Sequence, residues 1–181
     1  MTNQRKVIVH IATSADGYIA RTDGGLDWLT DRPAPAGFYG MDAFMQSIDT
    51  KVLGRKTYEA SLQMGAKFDS KRRTIVFSRH PSPKDAPPGV EFTDEAIGVF
   101  VNRLRESPGK DIWLMGGGDI IASFLDAQAI DEFVISVVPI FIGDGIPLIA
   151  RRHLHVPLSL QSTVKFEDGL VQLRYAVPST L

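Results

Sequence analysis

The sequence predicts an α/β fold, a mixed sheet flanked by helices, and three observations predict it. Short β-branched runs alternate with amphipathic stretches along most of the chain. Two of those runs break at glycine directly into a helix, at Val52-Leu53-Gly54-Arg55 and at Leu114-Met115-Gly116-Gly117-Gly118. The tail changes rhythm: 160–166 and 171–177 alternate apolar with polar residues around Asp168-Gly169, as an antiparallel hairpin does.

In chain order, Val7 to Ala12 reads as a buried strand, with His10 a core residue rather than a catalyst. Ser14 to Gly37 is a long loop rich in Gly, Pro and Asp; loops of that length in a compact domain carry function or are disordered. Phe38, Met41, Met45 and Ile48 recur at helical spacing, giving a helix over 38–48. A strand over 51–54 and a helix from Arg55 follow. Lys71 to Ser78 is a strand with a basic start, and the proline-rich 81–89 a surface connection. Thr93 reads as an N-cap with Asp94 and Glu95 in the first turn, ahead of the stripe Ile97, Phe100, Val101 and Leu104. Asp111 to Met115 is a strand, the glycines 116–118 open a helix, and Asp131 to Ile142 is a long central strand. His153-x-His155 lacks a third ligand in view and reads as surface loop, so no metal is expected.

The chain has 181 residues, 44% apolar and 23% charged, with a net charge of −1, which suits one domain over 1–181. No global positive field is present to hold nucleic acid or anionic lipid. The absence of cysteine removes disulfides, thiolate zinc ligands and thiol catalysis. Val7 to Thr13 is too short for a signal-peptide core, and no run approaches membrane-spanning length, so the expected location is cytoplasmic.

The chemistry concentrates at three strand ends. A helix start presents unpaired N–H groups and a partial positive charge, which attract anions. After Gly54, the residues Arg55, Lys56 and Thr57 add side-chain donors; after Phe77 come Ser78 and Arg79; after Met115 come three glycines that let the main chain approach a ligand. The glycines do not form the Rossmann fingerprint, because Ile121 stands where Gly or Ala is required, nor a P-loop, which needs a following Lys-Ser/Thr pair. Ligands of parallel sheets bind outside the carboxyl ends of the strands. Arg55, Lys56 and Arg79 exceed what a pyrophosphate held by glycines needs. The surplus suits an additional phosphomonoester, and hence NADPH rather than NADH.

These residues resemble the dihydrofolate-reductase-like superfamily, most closely its branch containing the reductase domain of the riboflavin-pathway deaminase-reductase (the RibD C-terminal domain). The resemblance rests on Ser14 to Ala20, Gly54 to Glu59, Ile75 to Arg79, Trp113 to Asp119 and Val138 to Leu148. It implies a three-layer αβα fold with a mixed, mostly parallel eight-stranded sheet and the C-terminal antiparallel hairpin. It also implies NADPH-dependent reduction of a small heterocycle such as 5-amino-6-(5-phosphoribosylamino)uracil, by a homodimer. By that pattern Arg55, Lys56, Ser78 and Arg79 hold the adenosine-side phosphate, while Thr57, Gly116, Gly117, Gly118, Asp119 and Ile120 line the pyrophosphate beyond Gly54. Ser14 to Ile19, Asp27 and Trp28 border nicotinamide and substrate, with the 14–37 loop as a lid. The carboxylate that folate reductases carry on the preceding helix falls near Phe38 and Tyr39, with Asp42 one turn on; Asp42 and Asp16 are the catalytic candidates. A non-catalytic NADPH-sensing module is the alternative reading. The helix 38–48 has no Lys or Arg to hold a ribose phosphate.

Overall fold

The structure, a computed structural model, describes residues 4–33, 35–68, 71–80, 82–153 and 155–178. Its elements are β1 (Val7–Ser14), β2 (Tyr18–Ala20), α1 (Asp27–Thr30), a 3-10 turn (Phe38–Gly40), α2 (Met41–Ser47), β3 (Ile48–Gly54) and α3 (Arg55–Gln63). There follow β4 (Arg73–Phe77), β5 (Val90–Thr93), α4 (Ile97–Glu106), β6 (Asp111–Gly116), α5 (Gly118–Asp126) and β7 (Glu132–Val138), then β8 (Ile146–Pro147), β9 (Ser159–Lys165) and β10 (Val171–Ala176).

Eight strands form one sheet in the order β5-β4-β3-β6-β1-β7-β10-β9; β2 and β8 pair separately. The first six run parallel, and β10 is antiparallel to both β7 and β9. The carboxyl ends of six strands therefore share one edge. One face carries the main core, where Val7, Val9, Val52, Ile112 and Leu114 pack against Phe100 and Leu104 of α4 and Ile121 and Phe124 of α5. The opposite face carries two smaller clusters, one around Trp28, Tyr39, Val138 and Leu170, the other around Leu53, Tyr58 and Val76. Strand alternation delivers both faces, since neighbouring side chains point to opposite sides.

Four local expectations are corrected. The helix over 38–48 is broken: Tyr39 and Gly40 have φ of 57° and 82°, and regular helix begins only at Met41. Phe38 and Asp42 therefore do not share one helical face. Ile48 already belongs to β3, three residues earlier than the expected strand start. The strand over 131–142 ends at Val138, because Pro139 has no N–H to give; the apolar residues beyond it serve a folded connection that buries part of Ile142. Helix α4 starts at Ile97, and Thr93 instead accepts the Glu95 N–H through its hydroxyl at 3.1 Å. Strand β5 gave no signal beside the prolines before it.

The hairpin forms as expected, closed by Phe166 N–H to Leu170 O at 2.9 Å. Its outer strand β9 is exposed along its length, Leu160 and Val164 included.

Candidate functional site

Across β4, β3 and β6, Gly54 lies opposite Phe77 and Leu53 opposite Gly116, so the three strand ends named from sequence are immediate neighbours. Helices α3 and α5 start from them, and neither start is capped by a side chain. Their first N–H groups are left for a ligand or solvent. Ile120 packs against Gly54 between the two starts.

The glycines have separate tasks. Gly116 has φ of 109°, a conformation L side chains rarely adopt, and the Gly116–Gly117 peptide is cis. A Cβ on Gly117 would stand 3.2 Å from Thr57 Oγ1, which brings the start of α3 and the glycine turn to one cradle. A Cβ on Gly118 would stand 2.5 Å from Pro147 O, so that glycine is needed for packing. Asp119 is exposed in the first turn of α5.

Arg55 Nη1 donates to Ser78 Oγ at 3.2 Å and its Nε to Glu59 at 2.8 Å, while its guanidinium lies over Phe92. Lys56 and Arg79 are exposed, and neither has an ion-pair partner among the described residues. A cavity of about 230 Å³ lies against Ser78, Arg79, His80 and Phe92. The site thus joins two uncapped helix starts to cations with unspent charge, the donor set that a pyrophosphate and a further monoester require. Those residues fit NADPH.

On the other side of β6 and β1, the structure ties down most of the candidates. Ser14 is buried; its hydroxyl donates to Asp16 at 2.6 Å and accepts the Tyr18 N–H. The Asp16 carboxylate also accepts N–H groups of Ile142 and Gly143, pinning the 139–145 connection. The Ser14 hydroxyl, then those amides, hold its pKa below the usual carboxylate range. Ile19 reaches the Gly117 cradle. Asp27 is engaged by Arg21 through two bonds of 2.7 Å. Trp28 is buried, and its indole N–H has no partner among the described residues. Phe38 is exposed, and Asp42 is exposed in the first turn of α2.

Tyr39 is buried rather than open to solvent. Its hydroxyl donates to Asp168 at 2.6 Å, its carbonyl accepts from Gln172, and its ring meets Phe166 edge-on. Arg32 reaches the same Asp168 through carboxylate and carbonyl. The Tyr39 hydroxyl, then Arg32, lower the Asp168 pKa, and burial raises that of Tyr39. Sequence reasoning found Asp168 only as turn chemistry and missed Arg32 and Gln172, whose bonds to Asp168 and Tyr39 each span more than a hundred positions.

His10 stacks on Phe44 with ring centroids 4.5 Å apart, its Nδ1 buried without a partner among the described residues. Burial, with a smaller push from Arg174, lowers its pKa to about 4. It is a neutral core group at physiological pH.

A mostly parallel eight-stranded sheet, reversed at its C-terminal hairpin, with helix starts exposed at one edge, defines the dihydrofolate-reductase-like class. The dihydrofolate reductase of Enterococcus faecalis, solved as a complex with NADP(H), aligns with a TM-score of 0.69 over 96% of this chain and 97% of its own, at 19% identity. The chain belongs to the RibD C-terminal domain family, whose sequence pattern matches residues 5–172. A solved protein from Shewanella sp. PV-4 that carries a provisional riboflavin-biosynthesis name aligns with a TM-score of 0.80 and 29% identity, over 96% of this chain and 99% of that one. The uncharacterised protein YwjB of Bacillus subtilis (strain 168) is 38% identical over 174 residues, covering 95% of this chain and 98% of YwjB. No described helix is long and apolar enough to cross a membrane.

Proposed function

We propose that the protein is an NADPH-dependent reductase of a small heterocycle. The observation that carries this reading is the adjacency of two uncapped helix starts with Lys56 and Arg79 across β4, β3 and β6. When bound, the cofactor supplies a hydride. The chain's own residues bind and orient: Arg55, Ser78 and Arg79 with Lys56 grip the monoester, while Thr57 and the glycine turn take the pyrophosphate. The described residues of the 14–37 segment, fastened at Asp16 and Arg32, act as a lid that keeps water from the reacting ring. The protein works in the cytoplasm as a homodimer, and the exposed edge of β9 supports pairing with a second copy.

Titration of the two reduced cofactors by fluorescence tests the reading. NADPH binds at least about tenfold more tightly than NADH, and Arg79→Ala with Lys56→Ala removes that preference. Equal affinities in the unaltered protein would reject the assignment of the cations.

A sensing module without turnover is the second reading. It is favoured by the engagement of Asp16 in structural hydrogen bonds and by the solvent-facing position of Asp42. Following NADPH absorbance with dihydrofolate, the deaminated ribosylaminopyrimidine and small imines separates the two readings, because a sensor oxidises none of them.

A further inference from the structure

The lid side of the site holds a second and larger cavity, of about 430 Å³, between the 23–31 segment and the far end of α3. Helix α3 links it to the cofactor cradle: Thr57 faces Gly117, Ala60 one turn on walls this cavity, and Gln63 and Met64 do so a turn further. Its volume suits a single ring with small substituents. The charge of its wall is negative, whereas the cavity at Arg79 sets that cation against Asp94. Asp23, Asp27 and Asp31 contribute to the lining, and no cation does.

The nearby arginines are already engaged. Both acceptor oxygens of Asp27 take the fork of Arg21, and Asp168 takes Arg32. The segment 38–47, on the substrate side of β1, contains no Lys or Arg. A phosphate dianion entering this cavity meets carboxylates at short range with no guanidinium among the lining residues to receive it. A ring carrying amino groups meets the Asp23 and Asp31 carboxylates and the Gln63 amide as acceptors, beside an apolar patch at Ala60 and Met64.

Resting on the reductase reading, we propose that the substrate is an unphosphorylated, amino-bearing heterocycle, neutral or cationic, and that the lid cavity selects against its ribose-phosphate counterpart. This separates the chain from the phosphoribosyl substrate that its resemblance to the riboflavin-pathway reductase implies.

Calorimetric titration of the full chain, with and without saturating NADPH, tests the proposal with three probes: 2,4-diaminopyrimidine, a ribosylaminopyrimidine and the 5′-phosphate of the latter. The two unphosphorylated rings bind at least about tenfold more tightly than the phosphate, and the gap widens at low salt. Asp27→Asn frees the Arg21 fork and narrows the gap to about threefold or less; Asp31→Asn, which leaves that pair intact, narrows it in the same direction. Tighter or equal binding of the phosphate, or no binding of any ring, overturns the proposal. Failure of the reductase reading shows separately, as absence of NADPH uptake, because the rings are also titrated onto the unloaded protein.

Discussion

At the ends of β3, β4 and β6 the exposed polar groups are main-chain N–H groups at two uncapped helix starts, set by glycines and strand pairing. Around the 14–37 segment the shape is held by side chains reaching across the molecule, Asp16 to the 142–143 amides and Asp168 to Arg32 and Tyr39. A site built from backbone tolerates no intrusion and changes all at once. A site held by side-chain latches loosens one latch at a time and stays adjustable. The first suits a cofactor common to many reactions, the second a substrate that differs among relatives.

The sharpest way to break this contrast is a single methyl at the backbone-built corner. Gly118→Ala places a Cβ against Pro147 O and Ala150 N, atoms that cannot swing away. The expected cost is about 2 kcal/mol or more, read as a fall in Tm of roughly 5 °C, with weakened NADPH binding. A variant that melts with the unaltered protein and binds cofactor normally would show that this corner yields.

Between β1 and α2, where His10 stacks on Phe44, the largest expected effect is a response to acid. His10 has an ordinary pKa of 6.5 when unfolded and about 4 when folded. Between those values the unfolded chain binds more protons, so stability is full above pH 6.5 and declines as pH falls toward 4. The loss is about 3 kcal/mol when complete, in denaturant titrations across that range. His10→Gln flattens this part of the profile. An unchanged slope in the variant would move the acid response to other groups.

The smallest effect sharpens the contrast most. Asp168→Asn keeps the size of the side chain but weakens its hold on Arg32 and Tyr39. Amide exchange over 35–40 accelerates several-fold, while exchange at the starts of α3 and α5 and the affinity for NADPH stay as they were. Acceleration at both places would mean that the two regions are one unit.

The same contrast explains how much was legible in the sequence. Gly54-Arg55-Lys56-Thr57 and the glycines 116–118 are contiguous in the chain, and parallel pairing puts strand ends on one edge without further information. The hairpin was legible because alternation and Asp168-Gly169 are local signals. Tyr39 was not: a left-handed backbone at a tyrosine is sustained by Asp168, Gln172 and Phe166, all distant in sequence. The length of β7 was misjudged because Ile140, Phe141 and Ile142 look like strand, while the Ile140 carbonyl accepts the Ala15 N–H and the Ile142 N–H goes to the Asp16 carboxylate.

Nature has also left an optical gauge in the molecule. Of the two tryptophans, Trp113 donates its indole N–H to His10 O, whereas the indole of Trp28 lies in an apolar nest without a bond among the described residues. These surroundings predict different emission wavelengths, with the bluer emission from Trp28 on α1. A spectrum taken while a candidate metabolite is mixed in therefore tracks that short helix in real time, with no dye attached.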